Sequence, residues 1–251
     1  MLDLGQTGAI APQRDRQLLL VMMALGLFAV ATLIVVPFET ILPPQVHVPR
    51  IVLLIQPAII TLGCALLGWW TAPRTGLGAP VLSAALHRQD WQQPLRRGLP
   101  AALLTAAAVA LILVIYGRAT QNLTTAMPQL DVPLVTRLGY GGVGEEIIAR
   151  WGLLTGMMAL AMRLGQSSSR AFWLANSVAA LLFALGHFGV LFAMVPHPAL
   201  WLMSAVVLGN FIPAMAFGWL YRQFGIESAM IAHGGAHALF CAVAAGGLVN
   251  W

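Results

Sequence analysis

Long apolar runs separated by short polar segments dominate this chain, and they predict its secondary structure. Each run is close to or above the roughly 20 residues that a helix needs to cross a bilayer. The apolar positions are continuous and do not alternate with period two, which favours helices over the strands of a membrane barrel. The pattern predicts seven spans, at 18–36, 51–70, 99–116, 135–162, 171–195, 200–221 and 226–249.

The composition agrees with a chain whose solvent is mostly lipid. Its 251 residues are 59% hydrophobic and only 8% charged, whereas a soluble domain carries about a quarter charged residues. Because backbone groups in lipid must bond within their own segment, we expect an all-α, polytopic transmembrane helical bundle. The longest polar connection is 71–98, and its part 81–95 is predicted to form an extra helix on the membrane surface.

The distribution of arginines predicts the orientation. Arginine supplies all thirteen basic residues, and the formal net charge is +5. The arginines flank apolar runs, so they indicate topology and contact with membrane lipids, and not nucleic-acid binding. We predict a cytoplasmic N-terminus with the first span as a retained signal anchor, because this places nine arginines inside and three outside. The inside set is Arg14, Arg16, Arg74, Arg88, Arg96, Arg97, Arg163, Arg170 and Arg222, and the outside set is Arg50, Arg118 and Arg137.

Polar side chains inside three of the spans are the candidates for chemistry, because ionisable groups are costly in lipid and usually functional there. They concentrate in the C-terminal half, which divides the chain into 1–130, N-terminal helices with a basic surface loop, and 131–251, the helical core with the polar motifs. The motifs are Glu145, Glu146 and Arg150 in the fourth span, Phe183 and His187 in the fifth, and His233 and His237 in the seventh.

Helix geometry predicts how these residues face one another. Glu146 and Arg150 are four apart and are placed to form an ion pair. Glu145 points about 100° away from Glu146 and is free to face a cavity. The other two motifs have the same four-residue spacing, so three helices can each offer a polar stripe to one interior point.

Such a set has the parts of a hydrolytic site. A carboxylate can deprotonate a water molecule, and imidazoles can donate to the oxyanion formed at an attacked carbonyl. The same residues, Glu145 with His187, His233 and His237, are also candidate ligands for a divalent metal such as zinc. Each motif alone has a structural interpretation as well: an ion pair between helices, a histidine bonded to a carbonyl, or interhelical contact.

One geometric difficulty follows from the predicted spans. Glu145 and His187 fall nearer the outer face and His233 nearer the inner face. At 1.5 Å per residue, the gap is on the order of 10 Å. Glycines 141, 142 and 144 permit a break in the helix that would close it.

The motifs resemble those of the CPBP family, the CAAX-protease and bacteriocin-processing intramembrane peptidases, also called the abortive-infection family. The family pattern is Glu-Glu-x-x-x-Arg, then Phe-x-x-x-His, then His-x-x-x-Asn, and the resemblance covers roughly residues 140–240. The stretch from Gly218 to His233 also looks like the family's approach to its last motif. Matching the first pattern are Glu145, Glu146 and Arg150, and matching the second are Phe183 and His187.

The resemblance implies a role for each matched residue. Glu145 would be the base that activates water, and His187 and His233 would complete the site. His237 stands where the family usually has Asn, as an oxyanion donor. Glu146, Arg150 and Phe183 would be supporting residues. The family implies a membrane-associated peptide or protein substrate, and some bacterial members are linked to self-immunity.

Departures from the pattern keep other functions open. His237 replaces Asn, and Ala149 and Trp151 stand where the family often has Phe and Gly; Trp151 is large enough to narrow a substrate path. Besides an intramembrane endopeptidase, the hypotheses are a non-catalytic scaffold or immunity subunit, in a larger membrane complex, and a transporter that relays protons. The arginine-only, alanine-rich composition indicates a bacterial cytoplasmic (inner) membrane.

Overall fold

The first helices follow the apolar runs of the sequence, in a computed structural model of the chain. The model describes residues 15–40, 48–124, 131–195 and 197–247, without the side chains of 119–124. Arg14 and the end of the last predicted span therefore lie outside the described residues. Among the described residues before 130, the helices are α1 (Arg16–Ala31), two 3-10 turns (Thr32–Val35 and Phe38–Thr40), α2 (Arg50–Thr75), α3 (Pro80–Leu86) and α4 (Gln92–Thr124).

The surface helix predicted at 81–95 is wrong in extent. Helix α3 ends at Leu86, and residues from Gln92 onward already belong to α4. Arg88, with a φ of 56°, interrupts the helical path after α3, and Asp90 Oδ1 then accepts a hydrogen bond from the Gln92 backbone N–H at 3.0 Å. An acidic side chain that accepts from the first turn in this way stabilises the start of a new helix.

The fourth predicted span is a single helix, α5 (residues 134–163), whose middle is wound more widely than an α-helix. It begins as α over Leu134–Thr136, is π-helical over Arg137–Gly144 and Ile147–Leu154, and ends as α over Thr155–Arg163. In a π-helix each N–H bonds to the carbonyl five residues earlier, and such turns are frequent at functional sites. Glu145 and Glu146 lie between its two π-helical stretches.

Glycines let neighbouring helices approach α5 closely. A Cβ on Gly142 would lie 3.0 Å from the Cα of Gly234, and one on Gly152 would lie 2.5 Å from the Cβ of Cys64. Both distances are shorter than ordinary carbon–carbon contacts. The backbones of the two neighbouring helices therefore reach α5 because these positions carry no side chain.

The remaining helices complete the bundle around α5. They are α6 (Ser168–Gly186), α7 (Phe188–Met194), α8 (Leu200–Phe224) and α9 (Ile226–Ala245). The fifth predicted span is broken at His187, which separates α6 from α7. Helix α9 packs against α4, α5 and α8, and α5 also packs against α1, α2 and α6.

The described helices confirm an all-α, multi-pass membrane protein. Six of them are long and apolar enough to cross a membrane, beginning at residues 16, 50, 92, 168, 200 and 226. Large apolar side chains such as Leu104 and Leu200 are 73% and 78% exposed on the outside of the bundle, as lipid contact requires. With α5 as the central helix, the arrangement agrees with about seven spans.

Candidate active site

Helices α5 and α9 bring two carboxylates to one imidazole. Glu146 Oε1 lies 2.8 Å from His233 Nδ1, and Glu145 Oε2 lies 3.8 Å from His233 Nε2. Glu146 is fully buried, whereas 22% of the Glu145 side chain is exposed. A carboxylate oxygen only accepts hydrogen bonds, so the proton in the Glu146 contact resides on His233 Nδ1.

The predicted gap of about 10 Å between Glu145 and His233 along the membrane normal is absent. That prediction assumed α-helical rise throughout the fourth span, but Ile147–Leu154, between Glu145 and the inner end of the span, are π-helical. Bonding to the fifth residue back puts more residues in each turn, so the chain advances less along the axis. The close packing of Gly142 on Gly234 then brings the two helices together at this level.

The Glu146 carboxylate also forms the ion pair that the four-residue spacing predicted. Arg150 Nη1 lies 3.0 Å from Glu146 Oε1, and Arg150 Nη2 donates to the Ala214 carbonyl of α8 at 3.0 Å. Arg150 is 2% exposed and Glu146 is fully buried. Removing either partner of a buried pair leaves an uncompensated charge. Arg150 therefore stabilises the Glu146 carboxylate in the position where it contacts His233.

Phe183 links His187 to this cluster. Its ring centroid is 4.9 Å from that of His187 and 6.3 Å from that of His233. His187 Nδ1 lies 2.9 Å from the Phe183 carbonyl oxygen. Because a carbonyl only accepts, Nδ1 carries the proton, and a neutral His187 presents Nε2 as a lone pair.

His237 lies against the other histidine of its helix. Its ring stacks on His233 with centroids 4.9 Å apart and an angle of 27° between the planes. A Cβ on Gly141 would lie 3.0 Å from His237 Nε2. Because Gly141 has no side chain, the His237 imidazole can pack directly against α5.

Sequence reasoning missed Phe217 of α8. Its ring stacks on His233 with centroids 4.8 Å apart and 20° between the planes. The Arg150 guanidinium also lies over the rings of Phe183 and Phe217, at 5.1 and 5.4 Å. The signal in the sequence was an aromatic residue one turn after Pro213, which is weak because aromatic residues in apolar runs usually serve packing alone.

The expectation that Trp151 narrows a substrate path is wrong. Trp151 is 1% exposed, and its indole Nε1 donates to the Ala65 carbonyl of α2 at 2.9 Å. Its ring fills the space beside Gly68 on the same helix. The side chain is therefore turned into the contact between α5 and α2, and not toward His233.

The zinc hypothesis finds no matching donor set. Within the described ranges, no group of three His, Cys, Asp or Glu side chains is placed to hold a metal ion. The nitrogens and oxygens are turned toward other partners: His233 Nδ1 to Glu146, Glu146 to Arg150, and His187 Nδ1 to a carbonyl. These side chains, as arranged, therefore do not fit a metal ion.

Comparison with known proteins supplies one match. Residues 132–239 match the family model described as type II CAAX prenyl endopeptidase Rce1-like. Neither the curated proteins nor the solved structures contain a match to the chain. The matched segment contains every residue of the cluster around His233, on α5, α6, α8 and α9.

Proposed function

We propose that this chain is an intramembrane endopeptidase, because residues 132–239 match the family model described as type II CAAX prenyl endopeptidase Rce1-like. The observation that carries the proposal is the approach of Glu145 to His233, 3.8 Å apart across α5 and α9. A carboxylate that is buried on most sides and partly exposed can reach water while it remains next to the groups that would bind a carbonyl.

In the proposed reaction, Glu145 is the base. It takes a proton from a water molecule, and the resulting hydroxide attacks the carbonyl carbon of the scissile peptide bond. The C–N bond then breaks, and Glu145 returns the proton to the leaving amine, so that the carboxylate is regenerated. His187 and His233 complete the site, and His237 takes the position of an oxyanion donor.

The remaining residues have supporting roles in this proposal. Glu146 fixes the tautomer and direction of the His233 ring through Nδ1, and Arg150 fixes Glu146. Phe217 and Phe183 cover the ring and the guanidinium. Preorganised groups of this kind need not rearrange when charge develops in the transition state.

The membrane assignment limits the substrate. A site between helices that face lipid is reached most directly by a peptide or lipid-modified chain end that already lies at the bilayer. We propose such a membrane-associated substrate, in a bacterial inner membrane with a cytoplasmic N-terminus. The excess of arginines at one end of the spans supports this orientation.

The test is a single amide substitution. Glu145→Gln keeps the size of the side chain but removes its basicity, so cleavage of a lipid-modified peptide in reconstituted vesicles should fall by at least about 100-fold. Glu39→Gln, which changes an exposed carboxylate paired with Arg50 between α1 and α2, is the matched control and should cleave normally. Unchanged cleavage by Glu145→Gln would remove the proposed base.

One observation favours a non-catalytic alternative. The His233 ring is stacked on both faces, by Phe217 and by His237 where the family usually has Asn, and its Nδ1 is engaged by Glu146. A ring so enclosed also suits a scaffold or immunity subunit that binds a partner helix or lipid. Absence of cleavage by the wild-type chain, together with a stable stoichiometric membrane partner, would favour this alternative.

A further inference from the structure

A buried chain of hydrogen bonds leads from the backbone of Arg150 to helix α8. Thr155 Oγ1 lies 2.9 Å from the Arg150 carbonyl oxygen and 2.9 Å from the Tyr221 hydroxyl. Thr155 is fully buried and Tyr221 is 1% exposed. A hydroxyl has one proton, and the carbonyl can only accept it, so the tyrosine must be the donor to Thr155.

This chain lies where α5 changes from π to α geometry. The backbone N–H of Thr155 also bonds to the Arg150 carbonyl, five residues back, and Thr155 begins the α-helical end of α5. The threonine therefore supplies two donors, N–H and O–H, to one carbonyl with two lone pairs. Both bonds require the wider turn, so the hydroxyl favours the π form over the α form.

Helix α8 holds this turn at two points. Arg150 Nη2 donates to the Ala214 carbonyl, and Tyr221, two turns later on α8, donates to Thr155. The bond to Ala214 fixes the guanidinium of Arg150, and the bond from Tyr221 through Thr155 fixes the backbone of Arg150. Arg150 forms an ion pair with Glu146, and Glu146 accepts a hydrogen bond from His233 Nδ1. A shift of this turn would therefore also shift the imidazole.

We propose that Thr155 and Tyr221 are positioning residues that lock the Arg150 turn of α5 in its π form and thereby align His233 with Glu145. This inference deepens the proposed function and relies on it for the kinetic test alone. Neither residue touches the reacting atoms, and both act through Arg150 and Glu146.

Removing the hydroxyls should lower turnover without weakening substrate binding. For Thr155→Val and Tyr221→Phe, kcat should fall by roughly 3- to 10-fold, as expected for one lost neutral hydrogen bond, while KM stays within about twofold. Thr155→Ser keeps the hydroxyl and should restore most of the rate. Thr71→Val is the matched control, because Thr71 is also buried and bonds to a carbonyl of its own helix, Leu67, on α2.

The deciding experiment observes the imidazole directly, so its outcome does not depend on hydrolysis. The chain has six histidines, and their ring nitrogens can be resolved by 15N NMR of the full chain in detergent micelles. The His233 resonances should move in Thr155→Val and in Tyr221→Phe, return in Thr155→Ser, and stay in place in Thr71→Val.

Resonances that stay in place in both Thr155→Val and Tyr221→Phe would overturn the proposal, as would an equal movement in Thr71→Val. If Thr155→Val does not fold, Tyr221→Phe decides alone. Failure of the peptidase hypothesis has a separate signature. The wild-type chain would then cleave no substrate, while the His233 resonances would still move in Tyr221→Phe.

Discussion

The surroundings of His233 explain what single residues contribute. One nitrogen of the ring meets Glu146, the other faces Glu145, and the two faces are covered by Phe217 and His237. A histidine held in this way has one tautomer and one orientation. Its neighbours can therefore be tested one at a time, by changes that remove a charge or a ring and preserve the helix.

Substitution of Glu146 should act on stability and on activity together. Glu146→Gln leaves Arg150 as a buried, uncompensated cation, and we expect a loss of roughly 3 kcal/mol in the free energy of unfolding. The double variant Glu146→Gln/Arg150→Met removes both charges and should be the more stable of the two. Thermal unfolding in detergent measures this, and a single variant as stable as wild type would show that the pair carries little energy.

Asn, the residue of the CPBP pattern at this position, should be able to replace His237. His237→Asn retains a donor in the space beside Gly141, and cleavage should stay within about tenfold of wild type. His237→Ala removes the donor and should lower kcat by on the order of 100-fold, the effect of a lost oxyanion contact. Equal rates for the alanine variant and the wild type would exclude this role.

Between elements, the close approach of α5 and α9 sets the distance from Glu145 to His233. Gly142→Ala places a methyl group 3.0 Å from the Cα of Gly234. Because backbone cannot give way as a flexible side chain does, we expect a loss of about 1–3 kcal/mol in stability, together with reduced cleavage. Gly63→Ala in α2 meets nothing within 4 Å and is the control; its stability should change by less than about 1 kcal/mol. Equal stability of the two variants would contradict close packing at Gly142.

The elements also show what sequence could and could not predict. The apolar runs predicted the helices well, because length and hydrophobicity are properties of each segment alone. The pairing of Glu146 with Arg150 followed from four-residue spacing. The π winding of α5 and the bond from Glu146 to His233 depend on partners from other helices, such as Tyr221 and Gly234, so no local pattern encodes them. For the same reason the α-helical rise assumed for Glu145 placed it too far from His233.

Over the whole molecule, the arginines predict a single orientation in the bilayer. Gln89, between α3 and α4, and Asp131, before α5, are exposed residues at opposite ends of the spans. In a chain with Cys64 and Cys241 replaced by alanine, a cysteine at position 89 should react with a membrane-impermeant thiol reagent only from the cytoplasmic side. A cysteine at position 131 should react only from the outside. The reverse pattern would invert the predicted topology.

The indole of Trp151 limits how the molecule can be divided into fragments that fold. Its N–H donates to the Ala65 carbonyl, which belongs to a helix outside the segment that matches the family model. If residues 132–239 were produced alone, that donor would face hydrocarbon without an acceptor, at a cost of several kcal/mol. The segment that matches the family model is therefore shorter than the unit that packs together, and we expect residues 132–239 to assemble only when the N-terminal helices are supplied, in the same chain or as a separate fragment.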